Sequence, residues 1–394
     1  MKRNRLFAAA DKRYNCNYNP AMRIGIDCRL PTYRMGGISQ YVLYLLPALA
    51  NLDNENDYIL FHSRKEQRDF VPETAVLWRR RDLWTPPHNR FERYSLPLEL
   101  APHGLDVFHS PDFIPPASGA MRRVITIHDL TFLHYPELLT NESRRYYNDQ
   151  IQWAAETADA IAVDSFATRQ DVIELLSVPP QKVTAVHLAA NPLYSQDVSQ
   201  DEITAVLQRH NLAPGFLLSV GTLEPRKNLP FLFQVYARLR REKNFKAPLV
   251  LVGKHGWLYE EIYQAIARLD LEPYVMHIDS LTDKELRALY YAAAALVTPS
   301  LYEGFGLPAL EAQHCGCPAV VSNRGSLPEI VGEQGLIISL EDEDGWVNSL
   351  AEVSADEALR RDVIKNGRQQ AAGFQWAKTA EQTLSLYLGS NQAA

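Results

Sequence analysis

Short apolar runs alternate with helix-like segments along most of this 394-residue chain. Such runs are typical of strands that are buried on both faces, as the strands of parallel sheets are. The predicted strands lie at residues 22–27, 58–61, 105–109, 124–127, 160–163, 183–187, 216–220, 249–253, 292–297 and 319–321. Because helical segments separate several of them, the alternation predicts an α/β fold with helices on both faces of parallel sheets.

The length of the chain is sufficient for two domains with separate cores. Residues 191–212 form a polar connection, so we predict a first domain over residues 22–195 and a second over residues 196–375. Residues 376–394 are predicted to hold a last helix. Residues 1–21 are polar and basic apart from a short apolar run, and they are predicted to form a disordered tail outside the fold.

Charge and cysteine content exclude several classes of protein. A formal net charge of −7 argues against a general nucleic-acid binder, which would carry a basic surface. Four cysteines are typical of a reducing compartment, and Cys315 and Cys317 lack a second pair at metal-ligand spacing. No apolar run is long enough to cross a bilayer or to form a secretory signal. We therefore predict a cytoplasmic protein without a zinc site.

Two carboxylates, Glu303 and Glu311, lie eight residues apart within the stretch at residues 299–318. A carboxylate accepts hydrogen bonds strongly, so such a pair suits a ligand that is rich in hydroxyl groups. An ordinary strand–loop–helix connection with two solvated glutamates is the structural alternative.

The segment between these carboxylates predicts a helix that begins at a glycine-rich turn. Gly304 and Gly306 allow the backbone to approach a ligand closely, and Pro308 suits the first turn of a helix over residues 307–314. The N-terminus of such a helix favours anions, and phosphate in particular. The residue types therefore suggest a sugar and a ribose on either side of a phosphate.

The string YEGFGLP at residues 302–308, followed by Glu311, resembles the donor site of retaining glycosyltransferases of the family-four type. These enzymes carry a Glu-x7-Glu motif and have the GT-B fold. The resemblance implies two Rossmann-like, doubly wound domains that face a central cleft, with the last helix crossing back to the first domain. It implies these donor-binding residues within the string: Glu303, Gly304, Phe305, Gly306, Leu307 and Glu311.

Two positions in the first half are further candidates. Gly36 and Gly37 follow the first predicted strand, where the resemblance places a loop that faces the donor diphosphate. His128 follows the strand at residues 124–127, and ligands of open α/β sheets bind beyond the carboxyl ends of strands. The resemblance implies that His128 contacts the donor sugar, whereas a single histidine can equally be a structural hydrogen-bonding group. Ser165 is predicted to cap the helix that follows it.

Arg226 and Lys227 follow the first strand of the second domain, directly before a predicted helix. Two fixed cations at such a place can neutralise a diphosphate, although a solvated pair at a turn is common. The resemblance implies that both residues bind the donor phosphates and stabilise the leaving group, without a metal ion or other cofactor. Glu329 is a weaker candidate, because an exposed carboxylate at a helix start is equally expected.

Together with the resemblance, these features predict transfer of a hexosyl group from a nucleotide diphosphate sugar to an acceptor hydroxyl, with retention of the anomeric configuration. The predicted catalytic groups are Glu303, Arg226, Lys227 and His128. The resemblance is strongest to mannosyltransferases of bacterial surface-polysaccharide assembly, which makes GDP-mannose the first donor to test and a carbohydrate or lipid-linked glycan the acceptor. A sugar phosphorylase of related fold and a non-catalytic nucleotide-sugar-binding subunit are the alternatives.

Arginines and aromatic residues are interleaved over residues 78–94. Such a surface can contact an anionic membrane, which would place the protein at the inner face of the membrane, whereas a solvated loop and helix face is the structural alternative. The residues concerned are Trp78, Arg79, Arg80, Arg81, Trp84, Arg90, Phe91, Arg93 and Tyr94.

Overall fold

The computed structural model describes residues 21–33, 37–70, 75–89, 91–138 and 141–389. Two parallel sheets dominate the part of the chain that it describes, so the predicted α/β class is confirmed. Residues 1–20, which make up most of the predicted tail, and Gly36 lie outside the described residues.

The first sheet has seven parallel strands in the order β3-β2-β1-β4-β5-β6-β7. The strand order reverses between β1 and β4, which is where ligands of doubly wound sheets bind. The strands are β1 (Arg23–Asp27), β2 (Asp57–Ser63), β3 (Trp78–Leu83), β4 (Leu105–Ser110), β5 (Ala120–Ile127), β6 (Ala160–Val163) and β7 (Val183–Ala185).

The second sheet has six parallel strands in the order β10-β9-β8-β11-β12-β13, with the corresponding reversal between β8 and β11. Each sheet with its helices is a Rossmann-like domain, here called the first and the second domain. The strands are β8 (Leu217–Val220), β9 (Leu249–Val252), β10 (Val275–Ile278), β11 (Ala295–Thr298), β12 (Ala319–Ser322) and β13 (Leu336–Ile338).

Helices cover both sheets. Those before β8 are α1 (Gly37–Leu52), α2 (Glu92–Leu100), α3 (Thr131–His134), α4 (Asn141–Thr157), α5 (Phe166–Leu175) and α6 (Gln200–Arg209). Those after β8 are α7 (Leu229–Lys243), α8 (Glu260–Arg268), α9 (Asp283–Ala292), α10 (Leu307–His314), α11 (Leu327–Val331), α12 (Glu343–Ala355), α13 (Glu357–Ala371) and α14 (Trp376–Leu388).

The last helix, α14, packs against α1 of the first domain. Trp376 stacks on Tyr44 with ring centroids 5.5 Å apart, and the Tyr387 hydroxyl lies 2.7 Å from His109 Nδ1 in the core of the first sheet. Burial lowers the pKa of His109 to about 3, so this imidazole is a neutral part of the core. The domain boundary at residue 195 stays a prediction, with the sheets lying on either side of it.

Two interpretations of local structure differ from what the structure shows. The arginine-rich run at residues 78–83 forms the edge strand β3, whereas the structural alternative for residues 78–94 was a solvated loop and helix face. An edge strand keeps one side in solvent, so alternate charged residues are tolerated there. The supposed polar connection at residues 191–212 contains α6, which begins with a capping box between Ser199 and Glu202.

Candidate active site

The second sheet brings three predicted site residues together where its strand order reverses. Arg226 and Lys227 lie in a short turn after β8, and Glu303 lies in the loop after the neighbouring strand β11. Because the carboxyl ends of β8 and β11 meet at this reversal, the two cations and the carboxylate come into direct contact.

Both oxygens of the Glu303 carboxylate are occupied by the cations. Arg226 Nη1 lies 2.6 Å from Oε2, Lys227 Nζ lies 2.6 Å from Oε1, and the Ser300 hydroxyl donates to Oε1 at 2.7 Å. Glu303 is only 6% exposed. Burial opposes its charge, but the two cations outweigh burial and lower the pKa of Glu303 to about 2. The carboxylate is therefore ionised.

A second carboxylate fixes the guanidinium of Arg226. Glu224 Oε1 accepts from Arg226 Nε at 3.0 Å and from Nη2 at 2.8 Å, and the carbonyl of Tyr302 accepts from Nη1 at 2.9 Å. Burial opposes the charge of Arg226, but Glu303 and Glu224 raise its pKa further above its ordinary value. The guanidinium therefore stays charged and keeps a fixed direction.

The glycines of the donor loop, defined here as residues 299–306, have different roles. A Cβ on Gly304 would lie 2.3 Å from the carbonyl oxygen of His128, so this glycine permits close contact with the first domain. Gly306 has φ of +98° and precedes α10 as its N-cap. The Ser326 hydroxyl donates to the carbonyls of Glu303 and Phe305, which holds the loop against α11.

Helix α10 has the predicted bounds and carries Glu311 on a buried face. The Tyr290 hydroxyl donates to Glu311 Oε2 at 2.9 Å. Burial raises the pKa of Glu311 to about 8, against the effect of this hydrogen bond. Glu311 is therefore mostly protonated at pH 7, in contrast to Glu303. The side chain of Phe305 is buried and that of Leu307 is half-buried in the core.

Both ring nitrogens of His128 are held by the first domain. Asp164 Oδ2 lies 2.7 Å from Nδ1, and the carbonyl of Pro111 lies 2.8 Å from Nε2. Only the charged imidazole donates from both nitrogens. Burial opposes this charge, but Asp164 outweighs it and raises the pKa of His128 to about 9. The arrangement fits the structural alternative, and the predicted sugar contact stays a prediction.

The two remaining candidates lie at helix starts. Gly37 is the first residue of α1, and a Cβ there would meet open space. Glu329 caps a helix of the opposite domain, since its two oxygens each lie 3.1 Å from the amide nitrogen of Phe166. Ser165 caps the same helix, as predicted, by accepting from the Thr168 amide.

Sequence reasoning missed the partners that fix these groups, namely Tyr290, Ser300, Glu224, Ser326 and the pairing of Asp164 with His128. Ser300 is three residues before Glu303 and Glu224 is two residues before Arg226, so local spacing could have suggested them. Tyr290 and Ser326 lie on other elements, and no local pattern in the sequence indicates them.

Among the described residues there is no group of three or more histidine, cysteine, aspartate or glutamate side chains that could hold a metal ion. Asp342 and Asp344, the Asp-x-Asp pair of the sequence, have other partners: Asp342 caps α12 and Asp344 pairs with Arg238 at 2.7 Å. Cys28, Cys315 and Cys317 are buried free thiols.

Comparison with known proteins decides the family. The family described as "Glycosyltransferase Family 4" matches residues 35–192, and "Glycosyl transferases group 1" matches residues 202–370. The O-antigen chain mannosyltransferase B of Escherichia coli is 31% identical over 373 residues, which cover 90% of this chain and 96% of that protein. The chain belongs to glycosyltransferase family 4. The enzyme is therefore a glycosyltransferase, as the motif at residues 302–311 predicted.

Solved structures agree with the GT-B fold of this glycosyltransferase. Sucrose-phosphate synthase from Thermosynechococcus elongatus has a TM-score of 0.72 at 23% identity, covering 95% of this chain and all of that chain. HepE from Anabaena, solved in complex with UDP and glucose, has a TM-score of 0.73 at 16% identity, covering 93% of this chain and all of that chain. Two Rossmann-like domains in the GT-B arrangement are therefore confirmed.

Within the described residues, no helix combines the length and the apolar character that crossing a membrane requires.

Proposed function

We propose that this glycosyltransferase moves a mannosyl group from GDP-mannose to a sugar hydroxyl of a growing bacterial surface polysaccharide, with retention of the anomeric configuration. The observation that carries the proposal is the convergence of Arg226, Lys227 and Glu303 beside the start of α10. Similarity to the O-antigen chain mannosyltransferase B over nearly the whole chain supports mannose as the transferred sugar.

The two cations act on the donor diphosphate. When the sugar leaves, negative charge develops on the phosphate oxygen that held it, and the site must stabilise that charge where it forms. Arg226 and Lys227, released from Glu303 by the incoming phosphate, supply this stabilisation together with the amides at the start of α10. The oxygens of Glu303 that the cations leave are then able to accept hydrogen bonds from the hydroxyls of the sugar.

Retention follows when the acceptor attacks from the face that the diphosphate leaves. The bond from the anomeric carbon to the phosphate oxygen breaks, the bond to the acceptor oxygen forms, and the departing phosphate takes the proton of the acceptor hydroxyl. In this same-face reaction no protein nucleophile is required. The role of the protein is to position the donor and the acceptor and to stabilise the charge that develops.

The acceptor site belongs at the reversal point of the first sheet. Asp27 ends β1, Asp112 follows β4, and the His88 ring nitrogen Nε2 pairs with Asp112. His88 has φ of +59°, a strained conformation that is often found at functional sites. Nearby, the buried Glu92 has one oxygen, Oε2, without a hydrogen-bond partner among the described residues. These polar groups suit the hydroxyls of a sugar acceptor.

The direct test incubates the purified protein with GDP-mannose, UDP-glucose and UDP-N-acetylglucosamine in the presence of a mannose-terminated acceptor. We expect release of GDP and an α-linked mannosyl product, identified by NMR of its anomeric proton. Phosphate-dependent formation of a sugar 1-phosphate would identify a phosphorylase, and binding of nucleotide sugar without turnover would identify a binding subunit. We also propose that no metal is required, so activity should survive EDTA. If EDTA abolishes activity and magnesium or manganese restores it, the site does require a metal.

We further propose that the surface around α2 contacts an anionic membrane. Trp84, Phe91 and Tyr94 are exposed, and the guanidinium of Arg64 lies 3.9 Å from the ring centroid of Trp84. Arg79 and Arg80 are already paired with acidic residues, so the surface is less positive than the sequence suggests. Co-sedimentation with vesicles containing phosphatidylglycerol, but not with phosphatidylcholine alone, is expected, and replacing Trp84 and Phe91 by alanine should weaken it.

A further inference from the structure

The donor loop lies in contact with the first domain through a set of side chains that the proposed chemistry does not use. Tyr302, directly before Glu303, is only 6% exposed, and its hydroxyl donates to Asp171 on α5. His134 Nε2 lies 3.0 Å from the other oxygen of Asp171. The rings of His134 and Tyr302 are stacked, with centroids 4.9 Å apart and an interplanar angle of 28°.

Further contacts at this place come from the backbone of the donor loop. The Tyr135 hydroxyl donates to the carbonyl of Leu301 at 3.1 Å, and the buried Thr168 hydroxyl donates to the carbonyl of Gly304 at 3.3 Å. The residues on both sides of Glu303 are thus held by the opposite domain. The Arg226 and Lys227 contacts, in contrast, come from the second domain alone.

We propose that His134, Asp171 and Tyr302 form an interdomain clamp that positions Glu303 for the transferred sugar. Asp171 accepts from a tyrosine of the second domain and lies against a histidine of the first, so its carboxylate joins the two domains at one point. A half-buried carboxylate with both oxygens engaged fixes the tyrosine ring more tightly than ring stacking alone. The three residues are positioning residues, since none of them is placed on the reacting atoms.

The clamp rests on the proposed function, because it acts by positioning Glu303 for its proposed contact with the sugar. The groups proposed to bind the nucleotide are Arg226, Lys227, Glu311 and the start of α10. The contacts that hold these side chains come from the second domain, and the Tyr302 carbonyl that Arg226 contacts is unchanged when the hydroxyl is removed. Loss of the clamp should therefore lower turnover and leave the binding of free nucleotide unchanged, which is a pattern that general destabilisation does not produce.

The test uses Tyr302→Phe, which keeps the ring and its stacking on His134 but removes the hydroxyl. We expect kcat to fall about tenfold, the effect of losing one hydrogen bond to a charged group. The Kd of GDP should stay within about twofold of the wild type. Asp171→Ala should act similarly, and the double variant should be no worse than the more impaired single one, because both changes break one contact.

Tyr236→Phe is the matched control. Its hydroxyl also donates within the protein, to the carbonyls of Ala247 and Tyr274, but on the far side of the second domain. It should leave kcat unchanged for the folded fraction. Unchanged kcat in Tyr302→Phe, or fully additive losses in the double variant, would overturn the clamp.

A readout on the ligand-free protein separates the clamp from the donor assignment. Amide hydrogen exchange in peptides covering residues 299–306 and the start of α5 should be faster in Tyr302→Phe than in the wild type. If exchange rises while the wild type transfers no mannose, the clamp stands and the proposed donor is wrong. If exchange is unchanged while the wild type transfers mannose normally, the clamp is wrong and the function stands.

Discussion

Lys227 Nζ donates to Glu303 Oε1 at 2.6 Å, beside the equally short contact of Arg226 with the other carboxylate oxygen. The groups proposed to bind phosphate and sugar therefore neutralise each other when the site holds neither ligand. Removing these three charges from water is costly, and their mutual pairing offsets part of that cost. This relationship links the stability of the ligand-free protein to the same residues that serve the chemistry.

Arg226→Ala and Lys227→Ala should each lower both transfer and stability. Loss of a charged stabiliser of the leaving group raises the barrier by about 2–4 kcal/mol. The change also leaves Glu303 buried with one cation fewer, and breaking a buried pair costs on the order of 3–5 kcal/mol of unfolding free energy. Steady-state kinetics and urea denaturation measure the two effects separately.

A second substitution separates these effects. Adding Glu303→Gln to the double variant Arg226→Ala/Lys227→Ala removes the buried charge that these changes leave without a cation, so stability should recover in part while transfer does not. Arg238→Ala is the control, because Arg238 also contacts three carboxylates but lies on the surface of α7. Normal turnover in both single variants would exclude the proposed phosphate contacts.

Alanine substitutions of the two glutamates of the motif should change different kinetic constants. Glu311 is proposed to bond the ribose hydroxyls, an interaction that is similar in ground and transition states, so Glu311→Ala should mainly raise the donor KM. Glu303→Ala should mainly lower kcat. Because Glu303 competes for the two cations, Glu303→Ala should bind free GDP normally or more tightly. Calorimetry that finds GDP binding lost in Glu303→Ala and kept in Glu311→Ala would reverse the assignment.

Sequence reasoning predicted the elements that local pattern determines. Helix α10 was predicted over residues 307–314 and has those bounds, since Gly306 and Pro308 mark its start. The edge strand β3 was missed, because one side of it faces solvent and carries arginines. A pattern search for buried strands recognises apolar runs on both faces, and an edge strand lacks them.

The sequence predicted which residues form the candidate site, but not which of them contact one another. The motif and the Arg226–Lys227 pair identified the groups, whereas the contact between them follows from the neighbouring positions of β8 and β11. Strand order is not encoded in local spacing. For the same reason, the hydrogen bond between Tyr290 and Glu311 and the contacts of His128 with Asp164 and Pro111 could not be predicted.

Nucleotide binding should release a proton through Glu311. Burial raises the pKa of this carboxyl to about 8, so it is mostly protonated at pH 7 in the free enzyme. Ribose hydroxyls that donate to the carboxylate favour its charged form and lower the pKa. Calorimetry of GDP binding at pH 7 in buffers of different ionisation enthalpy measures the release. GDP binding to the Glu311→Gln variant should release fewer protons than binding to the wild type. Equal proton release in the two proteins would exclude this role of Glu311.

The acceptor site should depend on His88 and Asp112. Alanine at either position removes hydroxyl-binding groups from the reversal point of the first sheet, which should raise the acceptor KM about tenfold, as for one charged hydrogen bond. The donor KM should not change, because the proposed donor site lies on the second domain. A varied-acceptor kinetic series gives both constants. An effect confined to the donor KM would place the acceptor elsewhere.

The stability of the enzyme should fall between neutral and alkaline pH because of His128. Asp164, acting against burial, raises the pKa of His128 from 6.5 to about 9 in the folded protein. A group whose pKa is higher in the folded state stabilises it fully below the unfolded pKa, and the stabilisation is lost as pH rises through the folded pKa. The loss should therefore occur between about pH 6.5 and pH 9, as the imidazole ceases to donate to both Asp164 and the Pro111 carbonyl.

Thermal unfolding from about pH 5.5 to about pH 9.5, a range that brackets this window, tests the prediction for the wild type and His128→Gln. The glutamine amide can donate to one of the two acceptors but does not titrate, so the unfolding temperature of the variant should change less over this range. Glu311 also makes the protein less stable as pH rises, because its pKa is raised as well. This contribution is lost over the lower window from pH 4.5 to about 8. Measuring both proteins in a Glu311→Gln background removes that contribution. If the curves with and without the His128→Gln substitution run parallel in that background, the imidazole is not charged between Asp164 and Pro111.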